Sequence, residues 1–316
     1  MTAAELSEPQ SWTTRNRDDR PIPRERLREL TRRSNARGLA QLAFHLSMLA
    51  LTSSLIALAQ GLWLVPAMLL QGMVLAALFA PMHESVHYTS VRSRRLAEAT
   101  AWFAALPNLY NATHYRLFHR AHHLFTQDPE RDPELLAGPK PASLRDYALR
   151  ITGVSFWHNR ALFLIDCALG RFEGMTYVAP ADRTSVRRSV LIQSALYAGV
   201  AAVALATGSA APLVYWVIPT VLGRPFLAAM LLAEHTGCSE EPDGLANTRS
   251  TETWTPWQFV LWNMPFHAEH HFYPSIPFHA LPAAHALMRG KLAHVAPGYL
   301  STHLGFVRRL RSGQAL

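Results

Sequence analysis

Two stretches of this 316-residue chain share one pattern: FHRAHHLF, with His119, His122 and His123, and FHAEHHFY, with His267, His270 and His271. A third, HESVH, sets His83 and His87 four residues apart. On an α-helix, residues three and four apart lie on one face, with Cβ atoms about 5–6 Å apart. Each stretch therefore aims two or three imidazoles at a common point. Imidazole suits Zn, Cu, Fe and Ni. Eight such ligands are too many for one ion and suit two.

The apolar runs say how these residues meet. Hydrophobic residues make up 49% of the chain and charged residues 16%, against roughly 25% charged in soluble domains. The mean hydropathy of +0.03 is too low for a chain that lies wholly in a membrane. Runs at 39–60, 62–82, 189–207 and 211–233 each approach or exceed the span-length requirement, about 20 apolar residues in a helix. Gly61 and its neighbours join the first pair, and GSA joins the second, so each pair reads as a tight hairpin. Nine arginines precede the first span, fourteen Lys or Arg lie between His83 and Arg188, and seven from Arg224 onward. Neither hairpin turn carries one, so both turns are expected outside and the rest in the cytoplasm.

The expected fold is all-α and integral to the membrane: four transmembrane helices in two hairpins, with a cytoplasmic helical cap holding a two-metal site. Its parts are a basic tail (1–38), hairpin 1 (39–82), a cap with the first two boxes (83–188), hairpin 2 (189–233) and a C-terminal part with the third (234–316). Segments 96–110 and 155–172 are too short to cross and carry Trp or Tyr, so they are expected in the headgroup region; a fifth span is the alternative for 155–172. The first 30 residues have no apolar stretch and read as a disordered start, not a signal peptide, then a short helix from Pro23. The net charge of +8 comes from cations beside apolar runs, which suits anionic headgroups. No nucleic-acid motif accompanies it. Two cysteines, Cys167 and Cys238, are too few for a disulfide framework and fit a reducing compartment.

With this topology all three boxes fall on one side of the bilayer. LLAEHTGC ends the fourth span with His235 at the same boundary, a ninth candidate ligand. Alone, HESVH matches the zinc-protease motif with Glu84 as general base, but that reading leaves both later boxes unexplained. ESVH also mimics the E-x-x-H of ferritin-like bundles, which need a second such pair. Ligating histidines usually give their other N–H to a carboxylate or carbonyl; Glu84, Asp128, Asp132, Glu234 and Glu269 are the candidates. Arg224, inside the fourth span, is a candidate for a substrate carboxylate or phosphate, with snorkelling as the alternative. His45 is expected to bond a neighbouring helix. His114 and His158 read as supporting or lipid-facing, and His279, His285, His294 and His303 as surface or packing residues. Trp254, Trp257 and Trp262 read as aromatics of the membrane surface.

Three boxes of the form HxxxH, HxxHH, HxxHH with four spans resemble the membrane fatty acid desaturase superfamily, whose relatives include hydroxylases and ketolases. The resemblance covers roughly residues 39–284. LLAEHTGC, NTR and WNMPFHAEHHFYPSIPFHALP are similar to a bacterial branch that includes the dihydrorhizobitoxine desaturase, which acts on a small amino-acid substrate. The resemblance implies two iron ions held by the eight box histidines, with His235 as a further ligand, and O2 as co-substrate. It implies a desaturase acting on an acyl chain or a smaller amphiphile; a hydroxylase on the same scaffold is the alternative. No HPGG haem motif appears in the chain, so a separate ferredoxin- or cytochrome-type electron donor is expected. The expected location is the cell's inner membrane, with the active site on the cytoplasmic side.

Overall fold

The structure, a computed structural model, describes residues 20–316; the expected disordered start lies outside these residues. A short helix follows Pro23 as expected (α1, Arg24–Leu30). The first span is α2 (Asn35–Leu58), started by Ser34, whose side chain accepts from the Arg37 N–H. The second, Gly61–Val86, runs through a 3₁₀ turn into α3 (Leu64–Ala77) and α4 (Phe79–Val86). The cap comprises α5 (Arg94–Ala105), α6 (Ala112–Phe125), α7 (Pro133–Ala137), α8 (Leu144–Thr152) and α9 (Val154–Leu169). The third span is α10 (Pro180–Thr207); the fourth is a π-helical turn at Leu213–Val217 leading into α11 (Ile218–His235). Then come α12 (Thr255–Val260), α13 (His267–Phe272), α14 (Leu281–Met288) and α15 (Tyr299–Arg311). The one departure from an all-helical chain among the described residues is a two-residue parallel pair, β1 (Ser250–Thr251) with β2 (Val295–Ala296).

The protein is an integral membrane protein with four helices long and apolar enough to cross. Helix α9, in the segment with a fifth span as its alternative, is not among them. Span ends extend past the apolar runs: α10 begins nine residues before Ser189 because Pro180 at its first turn lacks only an N–H that a helix start leaves unbonded. Leu62, Trp63 and Leu205, beside the two turns, are 90%, 76% and 83% exposed. An apolar band of that kind requires lipid around it.

Spans two and four cross where Gly72 meets Gly223. A Cβ on Gly72 would lie 2.1 Å from the Pro219 carbonyl oxygen, and one on Gly223 2.0 Å from that of Gly72. Without a water-driven hydrophobic force in lipid, such small-residue contacts let backbones touch and gain dispersion. Gln71 ties three spans together, bonding Thr52, Ser53 and the Tyr215 carbonyl. His45 Nε2 lies 3.0 Å from the Val74 carbonyl, the neighbouring-helix bond expected of it. Both spans run from their turns toward the histidines, so the crossing fixes where α4 and the end of α11 stand. The main apolar core, from Leu75 and Phe79 to Leu227 and Met264, lies at that end.

A candidate metal centre

Box one sits at the end of the second span: His83 lies in α4 and His87 is its C-cap. Asn111 caps α6, accepting from the His114 N–H, and so sets the phase of His119, His122 and His123. Box three makes up most of α13. It follows a turn in which Trp262 and Asn263 take φ of +55° and +56°, sparsely populated for such residues. His235 is the last residue of α11.

These nine histidines form two adjacent groups. His83, His87, His119, His123 and His270 bring five ring nitrogens within 4.8 Å of one another. His122, His235 and His271 form the second group, and His267 joins it through His235 and Glu234. The two HxxHH boxes contribute in reciprocal fashion. Box two sends its i and i+4 residues to the first group and its i+3 residue to the second; box three does the opposite. His123 and His271 stack between the groups.

The ring nitrogens stand at the spacing of ligands around a shared ion. The Nε2 atoms of His119 and His123 are 3.0 Å apart, those of His123 and His270 3.2 Å, and those of His122 and His235 3.2 Å. Nitrogens bound at about 2.0–2.1 Å to one first-row ion stand ~3.0–3.4 Å apart around it. Neutral imidazoles have one donor each and cannot satisfy such a crowd. Accordingly both nitrogens of His83, Nε2 of His87 and His271, and Nδ1 of His123, His267 and His270 have no hydrogen-bond partner. Burial pulls the His87 pKa down to about 3, with Arg116 adding to the effect. It holds His119, His123, His267, His270 and His271 well below the usual range. Neutral imidazole is the form that ligates a metal. The donor set fits two ions.

Outer partners orient several rings. His122 Nδ1 donates to Asp132 at 2.9 Å, and the other oxygen of Asp132 accepts from the Gln127 N–H. His122 is the exception among these neutral rings: burial opposes its charged form, yet Asp132 and Glu134 outweigh it and raise its pKa to about 9, so an ion here would displace the Nε2 proton. His235 Nδ1 faces the Asn247 carbonyl at 3.3 Å, His271 Nδ1 the Thr126 hydroxyl at 3.2 Å, and His119 Nδ1 the Tyr115 hydroxyl at 3.4 Å. Glu84 accepts from Thr89 and from the Phe278 N–H, with His270 Nδ1 4.0 Å away. Glu234 lies 3.4 Å from His267 Nε2.

Two candidate carboxylates are not brought to the histidines. Asp128 caps a turn and pairs with Arg131. Glu269, two residues past His267, projects from the other face of α13 to Ser250 and to His285 Nδ1, the latter at 2.5 Å. Sequence reasoning missed Glu134, whose Oε2 is 3.5 Å from His122 Nε2; the DPERDPEL run was its only signal. Trp262 is a correction. It is buried against Phe278 rather than at the membrane surface, because the left-handed turn folds it inward, whereas Trp254 is exposed. His285 is buried behind Glu269. His158 is exposed; His279 faces Arg37, the His294 carbonyl accepts from Ser250, and His303 bonds Tyr147.

Beside the second group lies a cavity of about 300 Å³, lined in part by His235, Glu134, Tyr115, Leu231, Arg160 and Arg224. The guanidinium carbons of Arg160 and Arg224 sit 5.1 and 3.7 Å from the centroid of Phe156. Nε of Arg160, and Nε and Nη1 of Arg224, are buried with no hydrogen-bond partner. Burial pulls the Arg160 pKa below its usual value. His114 donates or accepts at Tyr177, 2.9 Å away, on the same cavity wall. Gly153, at φ +74°, leaves the room that Arg224 occupies: a Cβ there would lie 2.4 Å from the Arg224 Cγ.

A family model described as "Fatty acid desaturase" matches residues 61–303, from the first hairpin turn through the third box and beyond. A comparison with curated proteins returns no match.

Proposed function

Because the chain belongs to the fatty acid desaturase family, an integral membrane oxidoreductase with a histidine metal site, we propose that it inserts a carbon–carbon double bond into an acyl chain or a smaller, amino-acid-like amphiphile, using O2. The observation that carries this reading is the reciprocal sharing of two HxxHH boxes between two adjacent histidine groups. His83, His87, His119, His123 and His270 would hold one iron ion; His122, His235, His267 and His271 would hold the other. Bound there, the ions supply O2-dependent oxidation of an unactivated C–H bond. The polypeptide orients the ligands through Asp132, Thr126, Tyr115 and the Asn247 carbonyl, and it keeps water from the reacting carbon by burying the rings. Arg224 would engage the polar end of the substrate.

The cation distribution supports a cytoplasmic position for the site and an inner-membrane location. Electrons would come from a separate ferredoxin- or cytochrome-type donor, and a net charge of +8 favours an acidic one. Lipid and metabolite profiling tests the reading in cells expressing the protein, or its His267→Ala and His123→Ala variants at matched levels. The expected product is lighter than its precursor by two hydrogens and absent with either variant. A product heavier by one oxygen would replace desaturation with hydroxylation.

A further inference from the structure

Four cations line the cavity with one acid, Glu134, which stands 3.5 Å from His122; Lys140 pairs with Glu240 and Arg150 acts on Glu134, which leaves Arg160 and Arg224. Arg160 and Arg224 both lie against Phe156. Stacking occupies the faces of a guanidinium; its donors radiate in the plane of the group. Here three of those edge nitrogens are buried without a partner. The Tyr110 hydroxyl bonds Arg224 yet leaves these nitrogens bare, and two buried cations so placed call for an anion.

One helix measures the distance from that point to the metal end. Arg224 and His235 are eleven residues apart on α11, about three full turns, so they share a face with a rise of ~16 Å between them. Ala228 and Leu231, four and seven residues after Arg224, continue the same stripe and also line the cavity. The order along the helix is cation, apolar surface, histidine. The cavity volume is at the low end of the ~300–1,000 Å³ of small-molecule pockets.

We propose that this cavity takes a compact amphiphile with a free carboxylate, held between Arg160 and Arg224, its apolar body along α11 and the carbon to be oxidised at the His235 end. The proposal rests on the desaturase reading for the fate of that carbon, but not for binding. A free acid enters head-first toward the arginines because their buried edge nitrogens have no other anion among the described residues to bind.

The test is calorimetric binding of decanoate, decanamide and decyl phosphate to the full-length protein in nanodiscs, with iron present and after its removal. Decanoate is expected to bind at least tenfold more tightly than decanamide. Arg160→Gln and Arg224→Gln should each erase that difference and leave decanamide binding as it was, which also shows that the variants are folded. Arg224→Lys should restore part of it. Equal binding of acid and amide by the unaltered protein, or decanoate binding indifferent to both Gln variants, would overturn the proposal. Tighter binding of decyl phosphate than of decanoate would overturn the carboxylate assignment. Decanoate binding to the iron-free protein separates this question from the reaction: conversion of a long-chain lipid with no decanoate bound counts against the clamp alone.

Discussion

The rings of His123 and His271 stack with centroids 4.0 Å apart and planes 10° from parallel, though they belong to different histidine groups. Each ring is thus a wall of its neighbour's site. Neither group can relax without moving the other, and cores packed at this density transmit such shifts.

His123→Ala should therefore cost more than one ion. The substitution removes a ligand from the first group and opens a void against His271 in the second. Iron per purified protein should fall from two toward zero, with less than about half an ion left. Elemental analysis of detergent-solubilised protein measures it; a clean drop from two to one would mean that the groups load independently.

Asp132→Asn should lower iron affinity by about 10–100-fold, the usual effect of losing the carboxylate behind a ligating histidine. Asp132 bonds His122 Nδ1 at 2.9 Å and accepts from two backbone N–H groups, so its position survives while its charge is lost. Asp128→Asn is the matched control. Its carboxylate caps a turn and pairs with the exposed Arg131, and iron retention under competing chelator should stay within about twofold.

These two aspartates mark the limit of what the sequence carries. The spans were legible because lipid imposes length and apolarity on them, and the boxes because helical spacing puts i, i+3 and i+4 on one face. The sharing of imidazoles between groups depends on how α6 faces α13, a tertiary relation absent from either local pattern. Helical phase alone could have turned Glu269 away from the site, since it lies two residues from His267 and so about 200° around the helix. Arg160 gave no signal: in α9 it is one cation in an amphipathic segment, and its meaning comes from Phe156 and Arg224. Trp262 was misplaced because aromatics near a membrane read as surface residues until the left-handed turn before box three is known.

The contact of Gly72 with Gly223 predicts a sharp difference between glycines in spans. Gly72→Ala or Gly223→Ala puts a methyl group about 2 Å from a carbonyl oxygen, and backbone cannot yield as a side-chain end does. The expected cost is about 3 kcal/mol or more. Gly199→Ala, in the third span with open space around it, should be neutral or slightly stabilising. Thermal unfolding of the three variants in one detergent compares them directly. Equal melting temperatures for Gly223→Ala and Gly199→Ala would mean that the crossing does not hold the bundle.

Metal removal should destabilise the cap more than the spans. Nine imidazoles, mostly buried and several with nitrogens that lack a hydrogen-bond partner, are tolerable when ions take up those nitrogens. Without ions each orphaned group carries a desolvation cost of about 1–3 kcal/mol. Binding to the folded state alone also contributes stability, about 4 kcal/mol at a thousandfold excess over Kd. Stripping iron with a ferrous chelator should therefore lower the melting temperature and speed amide exchange in α6 and α13. The middle of the Gly72–Gly223 crossing, held by backbone contact rather than by ligands, should keep its protection. Restoring ferrous ion should reverse the change. An exchange pattern unaltered by the chelator, with iron loss verified, would mean that the histidine groups are satisfied without metal.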